Sequence, residues 1–188
     1  MYQEALGNIR PELDVAGGFL IKTLISRLRL VNRRGTAYHA LGQWRAPIKD
    51  HQLTALKLVK QFRPPALLDE LAQQFVDAST VLFGSAAHFV TNVACGHGGP
   101  NCFARELAEE VAIRASLPFI DAFAAMPVKG SSHPRTNLRR PAMQVVAVPA
   151  GPVLLIDDVA TSGAHISEAT RLLRDQGCTA FPVAWIAP

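Results

Sequence analysis

Val153–Ala169 reads VLLIDDVATSGAHISEA, and the order of its chemistry decides the fold. The all-apolar quartet Val153–Ile156 is the pattern of a strand buried on both faces. It delivers two adjacent carboxylates, Asp157 and Asp158, at its carboxyl end. A loop of small residues, Ala160-Thr161-Ser162-Gly163, then opens a helix over His165–Gln176, ended by Gly177. Gly and Ala let the backbone close tightly on a ligand, and the amides of a first helical turn have no partner within the helix. Thr161 and Ser162 add hydroxyl donors. Backbone donors at the positive end of a helix make an anion pocket suited to phosphate. Carboxylates beside a phosphate repel it unless they face another group, such as vicinal sugar hydroxyls or a bridging magnesium ion. A ribose 5-phosphate satisfies both halves.

Outward from this stretch, strands alternate with helices. Helical spacing at Leu53, Leu56, Leu58 and Val59 is broken at Pro64-Pro65, and a second helix runs on through Ala78. His88–Ala94 reads as a strand ending in a Gly-rich turn, Cys95–Pro100. Asn101 is placed to cap the next helix, FARELAEEVAIRAS. Leu117–Phe123 reads as a short strand, Met126–Pro141 as a polar, basic loop, and Gln144–Val148 and Thr179–Ile186 as further strands. Such alternation predicts an α/β fold, a mainly parallel sheet flanked by helices, with ligands beyond the carboxyl ends of its strands. Ahead of it, Gly17–Val31 (GGFLIKTLISRLRLV) puts most of its apolar residues on one helical face, which predicts an amphipathic helix packed on the domain. Asn32–Pro47 reads as irregular.

The whole chain of 188 residues suits one domain with a continuous apolar core. With 49% hydrophobic and 18% charged residues, it is no disordered chain. The net charge of +4 hides a split: Met1–Pro64 holds eleven Lys/Arg against four Asp/Glu, and the remainder eight against eleven. Three cysteines, Cys95, Cys102 and Cys178, form no disulfide scaffold and point to a reducing, cytoplasmic setting. Lys22, Arg27 and Arg29 interrupt the most apolar early stretch, which excludes a signal peptide or membrane span.

VLLIDDVATSG resembles the 5-phosphoribosyl 1-diphosphate motif of type I phosphoribosyltransferases, a hydrophobic strand followed by two acids and a Thr/Ser-Gly loop. The resemblance implies the type I phosphoribosyltransferase fold with a flexible hood or flap, and a division into a basic extension (1–50) and a phosphoribosyltransferase domain (51–188). It implies that Asp157 and Asp158, the catalytic pair, hold the ribose 2- and 3-hydroxyls. Val159, Ala160, Thr161, Ser162, Gly163 and Ala164 would wrap the 5-phosphate. Within the superfamily the layout resembles the ComF (competence protein F) branch. Leu53–Lys60, LTALKLVK, is similar to that branch's Lys-containing helix, and Gly99-Pro100-Asn101 with Leu107-Ala108 is similar to its Arg-Gly-Phe-Asn segment. The N-terminal zinc module often found there is missing, and Gly98 or Gly99 stands in place of the family's Arg.

The resemblance further assigns Cys95, Gly96, His97 and Gly98 to a diphosphate-cradling turn, although that turn carries no Lys or Arg. Cys95, His97 and Cys102 lack a fourth ligand at zinc spacing, so they read better as structural residues. In the segment that corresponds to the flap, Lys129, Arg135, Arg139 and Arg140 would neutralise departing pyrophosphate. The implied partners are phosphoribosyl diphosphate and a nitrogenous base, with Mg2+ arriving on the diphosphate and no direct protein ligand to the metal. A homodimer is compatible with this reading. The third residue after the acids is Thr161 where 6-oxopurine salvage enzymes have Asp, which disfavours hypoxanthine and guanine. Asp121 and His165 are further candidates for contact with the base. The competing expectation is a non-catalytic phosphoribosyl-diphosphate sensor that binds nucleic acid through Arg27, Arg29, Arg33, Arg34 and Arg45.

Overall fold

A computed structural model describes residues 16–44, 50–94, 102–125 and 143–187 of the chain. Residues 16–23 are helical (α1) and are followed by β1 (Leu24–Arg33) and β2 (Thr36–Trp44). Next come α2 (Asp50–Phe62), α3 (Pro65–Phe83), β3 (Phe89–Asn92), α4 (Phe103–Ala115), β4 (Phe123–Ala125) and β5 (Met143–Val145). The chain closes with β6 (Val153–Val159), α5 (Ala164–Asp175) and β7 (Ala180–Ile186). The central sheet has the order β1-β2-β7-β6-β3, with β2, β7, β6 and β3 parallel and β1 antiparallel at one edge. β4 and β5 form a separate antiparallel pair.

Apolar residues on β6 alternate between two cores, one on each face of the sheet. Leu154 and Ile156 join the core formed with α2, α3 and α4, whereas Val153 and Leu155 join the core under α5. β6, between its parallel partners β3 and β7, is buried on both faces, which is why Val153–Ile156 reads as an unbroken apolar run.

Three expectations are corrected. The helix expected over Gly17–Val31 ends at residue 23, and the stretch expected to be irregular is a hairpin built into the main sheet. Its two-residue turn, Arg34 at φ 53° and Gly35 at φ 73°, has the left-handed pair of conformations that matches the twist of paired strands. Arg27-Leu28-Arg29-Leu30 alternates with period two, and sheet pairing won over the weaker helical periodicity. The strand expected over Leu117–Phe123 is reduced to a single bridge from Phe119 to Val90, and β4 begins only at Phe123. Pro118 has no amide to give a ladder, and the Ala122 amide turns to the Ile120 carbonyl and the Thr91 hydroxyl. At α4 the N-cap is Cys102, whose side chain does not cap the helix, and Asn101 lies outside the described residues. The boundary expected at residue 50 adjoins 45–49, also outside them.

Candidate active site

Polar groups gather at the carboxyl end of the parallel strands. β6 ends in Asp157 and Asp158, both buried, at 8% and 7% exposure. Burial of adjacent carboxylates is costly unless each finds a partner or a ligand. Successive residues of a strand project to opposite faces, and the surroundings of the two acids differ accordingly. Asp158 lies on the side of α2, where the Lys60 ammonium donates to its Oδ2 at 2.6 Å. Asp157 lies near Tyr38 of β2 on the side of α5, and pairs in register with Ala184 of β7.

Lys60 is half-buried. Burial alone would lower its pKa, but the charge and hydrogen bond of Asp158, reinforced by Asp157, raise it above the usual lysine value. Its helix is fastened beside the site. Arg63, one residue past α2 at φ 49°, forms an ion pair with Glu106 of α4 at 2.5 Å.

The loop after β6 turns tightly. The Ala160 amide donates to the Ile186 carbonyl at 2.9 Å, and the Thr161 amide to the Val159 carbonyl at 3.2 Å. Gly163 is the N-cap of α5 at φ 71°, and Ser162 Oγ accepts from the Ala164 amide at 3.3 Å. Val159, Ser162 and Ala164 are half-buried, Ala160 and Gly163 are buried, and Thr161 is exposed. The first turn of α5 thus opens beside the two carboxylates, with the positive end of its dipole toward the same space.

The hairpin braces this loop. The Arg33 guanidinium donates to the Thr161 carbonyl, which ties the loop to the hairpin. Ser167 of α5 donates to the Arg33 carbonyl at 3.3 Å, and the Tyr38 hydroxyl points to the Ala160 carbonyl at 3.5 Å. Arg29 donates to the Ala187 carbonyl at 2.6 Å. Burial raises the Tyr38 pKa most; Arg33 and Arg29 oppose that shift and Asp157 adds to it, so these four groups share one electrostatic neighbourhood.

Two of these participants escaped the sequence. Arg33 stood in a segment read as irregular, and only recognition of the hairpin would have aimed it at the loop. Asn92, at the end of β3, is buried with its amide donating to the Val93 carbonyl at 2.9 Å and its Oδ1 without a partner. It pairs in register with Ile156, two residues short of Asp158. A buried Asn at the end of an apolar strand was the available signal.

Of the other expected residues, Cys95, Gly96, His97 and Gly98 of the turn and Lys129, Arg135, Arg139 and Arg140 of the flap lie outside the described residues. Cys102 and Cys178 are buried thiols. Asp121 is exposed and paired with Arg105 at 2.6 Å, and His165 is exposed in the first turn of α5. No group of three or more His, Cys, Asp or Glu stands together among the described residues. None of the described helices is long and apolar enough to cross a membrane.

No protein-family model matches the sequence, and no curated protein is significantly similar to it. Solved structures are similar in fold. An adenine phosphoribosyltransferase shares 14% identity at a TM-score of 0.52, over 92% of this chain and 89% of that one. The Saccharomyces cerevisiae adenine phosphoribosyltransferase, complexed with an imino-altritol bisphosphate and adenine, gives 14% and 0.52 over 93% and 89%. A looser likeness, at 20% identity and a TM-score of 0.42, is to an orotate phosphoribosyltransferase from Aeropyrum pernix, over 95% and 81%. With its mostly parallel sheet between two layers of helices, the chain has the type I phosphoribosyltransferase fold.

Proposed function

We propose that this chain binds 5-phosphoribosyl 1-diphosphate and transfers its phosphoribosyl group to a nitrogenous base, releasing pyrophosphate. The observation that carries this reading is the continuity of β6, its loop and α5. Two buried carboxylates at a strand tip are followed, within five residues, by a left-handed glycine that opens a helix. Asp157 and Asp158 accept hydrogen bonds from the ribose 2- and 3-hydroxyls, and the loop 160–164 wraps the 5-phosphate, with the Thr161 and Ser162 hydroxyls and the Ser162 and Gly163 amides giving the closest contacts. The C1–oxygen bond to the diphosphate breaks as a C1–nitrogen bond forms, and the base nitrogen gives up its proton. The positive charge that develops on the ribose ring is stabilised by the two carboxylates beneath it.

Hard carboxylate oxygens at the strand tip suit the waters of a magnesium ion that would arrive on the diphosphate with no direct protein ligand. Bound with the diphosphate, it supplies charge neutralisation of the leaving group. The turn at Cys95–Gly98 is assigned to the diphosphate, and Lys129, Arg135, Arg139 and Arg140 to covering it once the substrate is in place. The resemblance of the Lys-bearing helix Leu53–Lys60 supports a position near the ComF branch, and the composition supports a cytoplasmic setting.

Titration calorimetry with 5-phosphoribosyl 1-diphosphate and magnesium, paired with pyrophosphate release across a panel of bases including adenine, tests the proposal. Binding together with release on at least one base is expected. Absence of any heat with the diphosphate sinks the site, and binding without release on any base sinks the transferase reading. The double variant Asp157→Asn, Asp158→Asn is expected to keep its fold by circular dichroism and lose at least about a hundredfold in affinity, since two charge-assisted hydrogen-bond acceptors become neutral.

A further inference from the structure

Lys60 stands out as a cation brought to the strand tip by a helix far from the motif in sequence. Its ammonium lies 2.6 Å from Asp158, and 40% of its side chain remains exposed toward solvent. An ammonium has three protons, of which Asp158 takes one. The site would face a substrate with two clusters of negative charge. The 5-phosphate end is served by neutral backbone amides, whereas residues 94–101, Ala-Cys-Gly-His-Gly-Gly-Pro-Asn, contain no Lys or Arg to meet the diphosphate. Ribose geometry joins these facts. The diphosphate leaves from C1, and C1 is bonded directly to C2, whose hydroxyl is a ligand of the acidic pair. A cation in hydrogen-bond contact with that pair is therefore within one side-chain rotation of the leaving oxygens.

We propose that Lys60 is a substrate-binding residue that grips the diphosphate of 5-phosphoribosyl 1-diphosphate and holds Asp158 in the empty site. This rests on the function proposed above and adds a residue to it. Lysine suits the task as a compact charge on a flexible stem, able to leave one oxygen for another, where arginine is a rigid fork. In the empty site Lys60 offsets the repulsion between two adjacent carboxylates. With substrate bound, the ribose hydroxyls take over Asp158 and free the ammonium for the leaving group.

The test is calorimetry on wild type, Lys60→Met and Lys60→Arg with magnesium and either 5-phosphoribosyl 1-diphosphate or ribose 5-phosphate, which lacks the diphosphate. Lys60→Met is expected to lose about tenfold or more for the diphosphate, as one charge-assisted hydrogen bond is worth, and less than about threefold for ribose 5-phosphate. Lys60→Arg is expected to recover part of the loss. Equal losses for both ligands in Lys60→Met overturn the proposal, because Lys60 then acts only through Asp158. Unchanged affinity for the diphosphate overturns it as well. Should Lys60→Met fail to fold by thermal melting, Lys60→Gln supplies the same ratio. A wild type that binds neither ligand refutes the proposed function itself, an outcome distinct from both results that overturn the role of Lys60.

Discussion

At Gly163 the backbone enters the left-handed region, φ 71°, and a Cβ built there would stand 3.1 Å from the Cβ of Arg33 and 3.5 Å from Cε1 of Tyr38. Two penalties fall on any side chain at this position. A left-handed non-glycine residue costs about 1–2 kcal/mol, and the contact with Arg33 must be relieved by moving the hairpin or the loop. Gly163→Ala is therefore expected to lower stability by about that amount and to weaken binding of ribose 5-phosphate, read by melting and by calorimetry. A variant with wild-type values on both would show that the loop does not need the turn. Asp157 and Asp158, by contrast, keep their backbone in ordinary strand geometry, so their substitution by Asn tests chemistry with little strain.

The hairpin β1–β2 does at the element scale what no residue of the motif does for itself. β1 is an edge strand, and its inward positions Arg29 and Arg33 reach the backbone at the ends of β7 and β6. Leu30, on the opposite face, is 65% exposed. The arginines there act as struts, Arg29 holding the Ala187 carbonyl and Arg33 the Thr161 carbonyl. Arg33→Ala is expected to reduce affinity for ribose 5-phosphate about threefold, the modest value that suits an exposed charged donor. Its melting temperature should change little, because Ser167 donates to the Arg33 backbone, which the substitution keeps. A loss confined to melting temperature, with affinity intact, would separate the hairpin from the site.

Over the whole molecule, the layers are joined by an aromatic series. His39 of β2 meets Phe83 of α3 edge-on at 5.6 Å, and Phe83 stacks on Phe181 of β7 at 4.6 Å. Burial lowers the His39 pKa from its usual 6.5. The folded chain thus favours neutral imidazole, so this contribution to stability is full above pH 6.5 and is lost as pH falls through the lower folded value. Thermal melting between pH 7 and pH 5 is expected to show a falling midpoint in wild type and a shallower fall in His39→Gln. Parallel curves would place the acid sensitivity elsewhere. Lys60 works in the opposite direction. Its raised pKa keeps its contribution whole below 10.5, and that contribution is lost only as pH rises through the higher folded value.

How much of this was legible differs between elements for physical reasons. β6 and α5 were readable because burial on both faces and a small-residue turn leave a local signature, and the apolar periods of α2 and α3 announced those helices. β1 was not, because Leu24, Ile25, Leu28 and Val31 fall on one helical face, and only pairing with β2 along the edge of the sheet decides for a strand. The strand read at Leu117–Phe123 failed on a tertiary choice too, the Ala122 amide going to Ile120 and Thr91 in place of a ladder. By itself the sequence determined the two acids, the small-residue loop and the α/β alternation, all set by neighbours a few residues apart. Only the tertiary structure decided that Lys60 meets one of the acids and that Arg33 braces the loop. Those contacts join residues about a hundred positions apart or more, and no local propensity encodes which distant side chain the packing of two cores brings to a strand tip.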